Sequence, residues 1–242
     1  MIRIGITAAP RNGGDYLART VASLQRAGFD SQYHIFAEPD TDTAGHVLLP
    51  HTVARRLVRL GEYHNWIDGL RTLADCPGDP AAVLMVQDDV VFCRNVRPFL
   101  RRRLWPSPDC GAIQVYTGRR YRGQRDFQPG LSRLPRRFMR DLNSACAIAF
   151  RPTVAVEILG YAERHPWTGR RIGANTPADV QELDCFIGTA LLELGHEIWC
   201  CNPSLGYHIG EESALGHGGS TGHRQALNFP GEGADAMEVI PG

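Results

Sequence analysis

Lysine is missing from this chain: all 26 basic residues among its 242 residues are arginine. The 26 acidic residues balance them, so the formal net charge is zero and gives no general attraction to polyanions. Arginine forms forked hydrogen bonds with phosphate and carboxylate better than lysine does, although a compositional bias of the genome would give the same count. No apolar run reaches the roughly 20 residues that a membrane-spanning helix needs.

Cysteine pairs with disulfide or zinc spacing are missing as well. The seven cysteines are odd in number, contain no CxxC pair, and lie partly inside apolar runs. Free cysteine in such runs behaves as a small hydrophobic residue, which favours a reducing compartment without a disulfide framework. Because the first seven residues have a strand pattern rather than that of a signal peptide, we expect a cytoplasmic location.

Strand and helix patterns alternate along the first half of the chain. Strands are predicted at residues 3–8, 32–37 and 83–86, and apolar residues recur at helical spacing in 17–24 and 62–75. Further strands are predicted at 111–116, 144–150 and 197–201, and a helix from Thr176 to residue 194. This alternation predicts an α/β fold with a parallel sheet and helices on both faces.

The most informative segment is 83–91, an apolar strand that runs into Asp88 and Asp89. In open α/β folds the carboxyl ends of the strands line the ligand crevice. Two adjacent carboxylates repel each other and are costly to bury unless a positive charge lies beside them. A divalent cation shared with a phosphate would supply it. The segment therefore predicts a metal–diphosphate site, with helix capping or plain solvation as the alternatives.

Other polar residues follow the predicted strands. We expect residues 7–11 and 38–40 to share one crevice with Asp88 and Asp89. His208, in the loop after the last strand, offers one nitrogen ligand to the cation, or else a hydrogen bond within its own loop. Asp184 lies on the flank of a helix and is a candidate general base toward a hydroxyl. A surface acid at a helix start, or Glu182 in the same role, remains the alternative.

One segment of the second half is rich in arginine. A solvated loop is the default interpretation, and the alternative is a platform for an anionic acceptor such as a nucleic acid or a phosphorylated glycan. No RNA-binding aromatic pattern accompanies it. Its members are Arg119, Arg120, Arg122, Arg125, Arg133, Arg136, Arg137 and Arg140.

Four segments together resemble the GT-A-fold glycosyltransferases, which are Rossmann-like and use nucleotide sugars. IGITAAPR at 4–11 resembles the first strand and nucleotide loop, and VQDDV at 86–90 resembles the DxD metal motif. NSAC at 143–146 resembles the segment that shapes the acceptor pocket, and PSLGYHIGEES at 203–213 the closing motif of N-acetylglucosaminyltransferase IV-like enzymes. The resemblance implies a mixed, mostly parallel sheet in one catalytic domain, 1–242. Within it, 1–110 would bind the nucleotide, 111–216 would face the acceptor, and 217–242 would be a tail or lid.

The resemblance also implies roles for individual residues. Asp89 and His208 would bind Mn²⁺ or Mg²⁺, and Asp184 would take the proton of the acceptor hydroxyl in an inverting transfer. A UDP-sugar is the expected donor of a hexose or N-acetylhexosamine. The residues expected around the nucleotide and sugar are Thr7, Ala8, Ala9, Arg11, Glu38, Asp40, Asn65, Trp66 and Asp88.

Two other functions stay open. Gln87 stands where the family commonly has an acid, which leaves fewer charges for the cation and favours a non-catalytic nucleotide-sugar-binding protein. A nucleotidyltransferase can use a similar sheet and metal. Such enzymes usually carry a basic, glycine-rich loop with a lysine after the first strand, and residues 10–14 match this loop only in part.

Overall fold

A computed structural model of the chain describes residues 1–11, 15–29, 33–43, 51–123, 127–142, 145–167, 182–210 and 225–240. In these ranges the strands are, in chain order, β1 (Ile2–Ala8), β2 (Tyr33–Ala37), β3 (His51–Arg55), β4 (Ala82–Gln87), β5 (Val90–Phe92), β6 (Cys110–Gln114), β7 (Gly130–Arg133), β8 (Ala147–Phe150), β9 (Glu197–Asn202) and β10 (Gly206–His208). The helices are α1 (Tyr16–Arg26), α2 (Gly61–Asp75), α3 (Val96–Arg103), α4 (Pro152–Arg164), α5 (Leu183–Glu193) and α6 (Ala236–Val239).

Eight of the strands form one mixed sheet in the order β3-β2-β1-β4-β8-β6-β9-β7. The strands β3, β2, β1 and β4 are mutually parallel, whereas β8 runs antiparallel to β4 and β6. Beyond them β9 is parallel to β6, and β7 is antiparallel to β9. β5 and β10 pair in a separate small sheet. The predicted α/β fold with a mixed, mostly parallel sheet is confirmed.

Successive side chains of a strand point to opposite faces of the sheet, so a strand made of apolar residues gives the sheet two apolar faces. Helices cover both of these faces. Ile4, Ile6 and Leu84 lie in a core with apolar residues of α1 and α3. Val83 and Met85 lie in a second core with apolar residues of α2, α4 and α5. The near-continuous apolar run of β4 is thus explained by burial on both faces, as is usual for a central strand of a sheet that helices cover on both sides.

Close approach of α2 to the sheet depends on two glycines. A Cβ at Gly5 of β1 would lie 2.8 Å from Leu73 and 2.9 Å from Phe36, and one at Gly69 of α2 would lie 2.7 Å from Phe36. Since real Cβ atoms do not approach that closely, glycine is what allows α2 to lie flat on β1 and β2. This packing fixes the start of α2 at the carboxyl edge of the sheet.

Several elements were not predicted. The expected strand at 144–150 begins at Ala147 and ends, as expected, before Arg151 and Pro152, but Pro152 then opens α4. Proline is well suited to the first helical position because that N–H has no partner inside the helix. The helix α3 was not predicted, because it has only eight residues and its last turn consists of three arginines. The predicted helix start at Thr176 lies outside the described residues, and α5 is described from Leu183.

The end of the chain is held against the body of the fold in the part that is described. Leu227, Ala236 and Ile240 are buried, and Asp235 pairs with Arg94 as an isolated bridge. Residues 225–240 are therefore packed against the fold, while 217–224 and 241–242, also expected in the tail or lid, lie outside the described ranges. The assignment of 217–242 as a tail or lid stays a prediction. Within the described ranges, no helix is both long enough and apolar enough to cross a bilayer.

Candidate active site

The crevice lies at the point in the sheet where the connections from neighbouring strands leave in opposite directions. β1 is flanked by β2 on one side and by β4 on the other, and the intervening helices α1 and α2 pack on opposite faces. Such a switch point leaves an opening beyond the carboxyl ends of the two strands. Residues 8–11 leave β1 at this edge, and Asp88 and Asp89 leave β4 beside them.

Asp88 is held by the segment that follows β1. Its Oδ1 accepts a hydrogen bond from Arg11 Nη2 at 2.6 Å, and its Oδ2 accepts one from the Ala9 backbone N–H at 3.0 Å. Its own N–H donates to the Thr7 carbonyl at 3.0 Å. The hydroxyl of Thr20 on α1 donates to the Asp88 carbonyl at 2.8 Å. The turn after β4 is therefore fixed by both β1 and α1.

Asp89 lies between an arginine and an imidazole. Its Oδ2 is 2.7 Å from Arg11 Nη2 and 3.0 Å from His208 Nε2, and its backbone carbonyl accepts the N–H of Ile209 at 2.8 Å. The pairing of β10 with β5 brings His208 opposite Val90, one residue after Asp89. We call Arg11, Asp88, Asp89 and His208 the β4 cluster.

The β4 cluster is buried and carries excess negative charge. The side chains of Asp88 and Asp89 are 5% and 1% exposed, and that of Arg11 is 14% exposed. Two carboxylates and one guanidinium leave one net negative charge when the imidazole is neutral. Burial and the charge of Asp89 raise the pKa of Asp88. Burial alone would also raise the pKa of Asp89, but His208 and Arg11 hold it below its usual range.

Two potential metal-ligand atoms of the β4 cluster have no hydrogen-bond partner among the described residues. Asp89 Oδ1 and His208 Nδ1 are both buried in this state, which is costly unless a ligand meets them. Gly210 provides room, since a Cβ there would overlap Asp89 Oδ2 and lie 2.9 Å from His208 Cε1. Carboxylate oxygen and imidazole nitrogen form a donor set that suits Mn²⁺, and the carboxylate also suits Mg²⁺. The residues present fit a divalent ion.

Other residues expected around a nucleotide lie at the same edge with different partners. Both carboxylate oxygens of Glu38 accept backbone N–H groups of Leu60 and Gly61, each at 2.9 Å, which gives Glu38 a structural role at the start of α2. Asp40 is exposed, with a φ of 64°, in the turn after β2. The β1 end residues Thr7 and Ala8 border the crevice beside Asp88. A nucleotide contact of these residues stays a prediction.

Asn65 and Trp66 on α2 face the interior. Asn65 Nδ2 donates to the Phe36 carbonyl at 3.0 Å, and its Oδ1 accepts from Arg56 Nε at 3.0 Å. Trp66 is 1% exposed and its ring packs edge-to-face on Phe150 in the core. The expectation that Trp66 flanks a nucleotide was wrong, because its position on α2 belongs to the stripe that packs on the sheet. Asn65 ties α2 to β2, and its nucleotide contact stays a prediction.

Glu62 is the site residue that the sequence did not single out. Its carboxylate accepts a hydrogen bond from Gln87 Nε2 at 2.9 Å, and Gln87 Oε1 accepts one from Cys146 Sγ at 2.9 Å. The Glu62 side chain is exposed to solvent, but many protein atoms lie around its carboxylate. Burial and the nearby Asp184 carboxylate raise the pKa of Glu62 to about 7, against the effect of the Gln87 hydrogen bond. The signal in the sequence was an acid in the first turn of a helix, which is too common to be informative.

Asp184 lies in the first turn of α5, close to two other potential ligands. A carboxylate oxygen of Asp184, one of Glu182 and the Sγ of Cys185 all lie within 4.8 Å of one another. Since both Asp184 and Glu182 contribute to the raised pKa of Glu62, we call Glu62, Glu182 and Asp184 the α5 cluster. Glu62 is hydrogen-bonded to Gln87, the residue before Asp88, so the α5 cluster borders the β4 cluster.

Three arginines of the arginine-rich segment are engaged with carboxylates of the chain. Arg133 lies 2.8 Å from Glu197, Arg140 3.2 Å from Glu193, and Arg120 3.7 Å from Asp141. These are exposed pairs that contribute little to stability. They show that three of the cations expected to meet an anionic acceptor already have partners. Arg125 lies outside the described residues, and the platform stays a prediction.

Comparison with known proteins shows similarity at the level of fold. No protein-family model matches the sequence, and no curated protein matches it. S. aureus TarS has a TM-score of 0.54 at 12% identity, over 86% of this chain and 37% of TarS. The mannosyltransferase PcManGT from Pyrobaculum calidifontis, in complex with GDP-Man and Mn²⁺, has a TM-score of 0.49 at 14% identity, over 81% of this chain and 53% of that protein. A putative glucose-1-phosphate thymidylyltransferase from Bacillus anthracis has a TM-score of 0.49 at 9% identity, over 89% and 92%.

These comparisons establish the fold class and nothing narrower. The chain has the mixed α/β architecture of the GT-A structures, with the sheet flanked by helices. It spans about half the length of PcManGT and 37% of TarS. A fold shared at such identities hosts many activities, and the groups at the site decide which of them a chain has.

Proposed function

We propose that the chain is a glycosyltransferase that moves a sugar from a UDP-sugar to a hydroxyl acceptor with the help of Mn²⁺ or Mg²⁺. The observation that carries the proposal is the β4 cluster. It combines two buried carboxylates, an arginine and an imidazole at the switch point of the sheet, with Asp89 Oδ1 and His208 Nδ1 lacking protein partners. A nucleoside diphosphate with its cation has the chemistry to fill this place.

In the proposed reaction the acceptor oxygen attacks the anomeric carbon while the bond from that carbon to the diphosphate breaks. Asp184 takes the proton of the acceptor hydroxyl, and UDP leaves with the electron pair of the broken bond. A bound ion, held by Asp89 and His208, would stabilise the charge on the departing diphosphate. Arg11, at 14% exposure, borders the crevice and would bind a diphosphate oxygen. Attack opposite the leaving group inverts the anomeric centre.

The first half of the chain supplies the donor side of this proposal. Thr7, Ala8 and Ala9 form the end of β1 and its exit, and the N–H of Ala9 is already fixed on Asp88. Asp88 would act on the ribose or sugar, since its position next to Asp89 places it at the crevice. Asp40, exposed after β2, would contact the base or ribose. The acceptor is a hydroxyl compound of unspecified class, with an anionic glycan or a modified nucleic acid among the candidates.

A direct test is release of UDP from UDP-glucose, UDP-galactose and UDP-GlcNAc, each with and without Mn²⁺. Slow release that requires Mn²⁺, with one sugar preferred, supports the glycosyltransferase. Release of pyrophosphate from a nucleoside triphosphate in the presence of a sugar phosphate would identify a nucleotidyltransferase instead. Binding of a UDP-sugar without turnover under any metal condition, with or without added hydroxyl acceptors, would identify the non-catalytic binding protein that Gln87 favours.

A further inference from the structure

Arg11 supplies inside the protein the positive charge that two adjacent buried aspartates require. One nitrogen, Nη2, lies 2.6 Å from Asp88 Oδ1 and 2.7 Å from Asp89 Oδ2. The carboxylates raise the pKa of Arg11, although burial opposes its charge. The guanidinium also lies over the ring of Tyr16 on α1, with its Cζ 5.4 Å from the ring centroid. These contacts hold the guanidinium of Arg11 in a fixed position within the β4 cluster.

This position brings Arg11 into competition with the ion assigned to Asp89 and His208. The β4 cluster has one net negative charge when His208 is neutral, so a divalent ion alone would leave it with one net positive charge. The guanidinium and the ion would then repel each other in a buried place, where charges are weakly screened. A nucleotide diphosphate adds negative charge that both cations can share, and the guanidinium fork suits phosphate oxygens.

We propose that Arg11 makes binding of the divalent ion conditional on the diphosphate: it pairs with Asp89 in the free protein and pairs with the anion in the loaded one. The inference rests on the proposed function. It assigns to Arg11 a positioning role beyond lining the nucleotide, because the same side chain both excludes the ion alone and admits it with the donor. The coupling is reciprocal, so the ion must strengthen diphosphate binding by the same factor.

The test measures binding of Mn²⁺ from the electron paramagnetic resonance signal of the free ion, with no sugar donor and no turnover. Wild type is compared with Arg11→Gln, and with Arg26→Gln as a matched control. Arg26 is an exposed arginine at the end of α1 that pairs with Glu232 outside the crevice. Each protein is titrated alone, with UDP and with uridine. Mn²⁺ is also titrated with UDP and no protein, and the Mn²⁺ that UDP chelates is subtracted for each protein, so wild type can be judged by itself.

In wild type and Arg26→Gln, UDP should tighten Mn²⁺ binding, within the factor of about 5–150 that couplings between sites usually reach, and uridine should not. Arg11→Gln should bind Mn²⁺ alone more tightly than wild type does, and the enhancement by UDP should shrink. Equal or weaker binding of Mn²⁺ alone by Arg11→Gln would overturn the inference and leave the proposed function standing. Should that variant fail to fold, wild type decides, since a Mn²⁺ affinity that UDP does not change overturns the inference as well. Absence of Mn²⁺ binding in all proteins, with and without UDP, would overturn the proposed metal site itself.

Discussion

Two groups of carboxylates meet at the crevice, and they are stabilised in different ways. In the β4 cluster, Asp88 and Asp89 have an arginine, an imidazole and a backbone N–H as partners. In the α5 cluster, the hydrogen bond to Glu62 comes from the neutral amide of Gln87, and its charged neighbours are the carboxylates Asp184 and Glu182. The charge of Asp89 is therefore held fixed, whereas the pKa of Glu62 rises to about 7.

This difference separates two kinds of chemistry within one crevice. A carboxylate kept ionised by fixed cations is suited to bind a metal or to position a group. A carboxylate with a pKa near neutrality is suited to exchange protons during a reaction. The comparison thus supports donor binding at the β4 cluster and proton transfer at the α5 cluster, and the predictions below test this division.

The largest effect is expected for Asp89→Asn. The amide keeps the size of the side chain but removes the charge that the ion and Arg11 share. We expect Mn²⁺ binding in the presence of UDP to weaken by more than about 100-fold, because changes outside the ligand shell already cost 10–100-fold. UDP release should become undetectable. Asp79→Asn, at an exposed turn away from the crevice, is the matched control and should bind and react as wild type does. Unchanged Mn²⁺ binding in Asp89→Asn would remove the ion from the β4 cluster.

A smaller and more selective effect is expected for Asp184→Asn. Transfer to an acceptor should fall by about 10²–10⁴, the usual contribution of a general base, while binding of UDP and Mn²⁺ stays the same. Glu182→Gln, two residues earlier at the start of α5, serves as the control and should retain most of the activity. If Glu182→Gln loses transfer and Asp184→Asn keeps it, the base is Glu182 and the division between clusters survives with a changed assignment.

The smallest effect is a pH dependence of stability due to Glu62. Its pKa is about 7 in the folded chain against an ordinary value of 4.5, so folding takes up a proton between these two values. The free energy of unfolding of wild type should therefore fall, relative to Glu62→Gln, as the pH rises from about 4.5 to about 7, and then level off. Urea unfolding of both proteins across this range measures the difference.

A second variant sharpens this measurement. Gln87→Met removes the hydrogen bond that lowers the pKa of Glu62, so the window of falling stability should extend to higher pH. A pH-independent difference between wild type and Glu62→Gln would mean that Glu62 is as well solvated as an ordinary surface acid. The contrast between the two clusters would then disappear.

Much of the first half of the fold was predictable because its signals are local. The apolar run of β4 reports burial on both faces, and the helical spacing in 62–75 gave α2 to within one residue. Two missed helices differ in their local signals. The short helix α3 ends in Arg101, Arg102 and Arg103, which obscures its apolar face, whereas α4 has Val154, Ile158 and Tyr161 at helical spacing and was predictable from the sequence. The apolar face of α3 becomes informative only when the sheet that covers it is known.

The sequence by itself determined the α/β fold class and the position of two neighbouring carboxylates at the end of a buried strand, since both follow from hydrophobic periodicity. The mixed character of the sheet was implied by the family resemblance and not by periodicity. Only the tertiary structure decided what neutralises those carboxylates. The contacts of Asp89 with Arg11 and His208 join the exit of β1 to a strand near the other end of the chain. Electrostatic pairing depends on distance in space and on burial, and neither quantity is written in the local pattern of residues. The same reason hid Glu62, whose raised pKa comes from burial and from carboxylates on another helix.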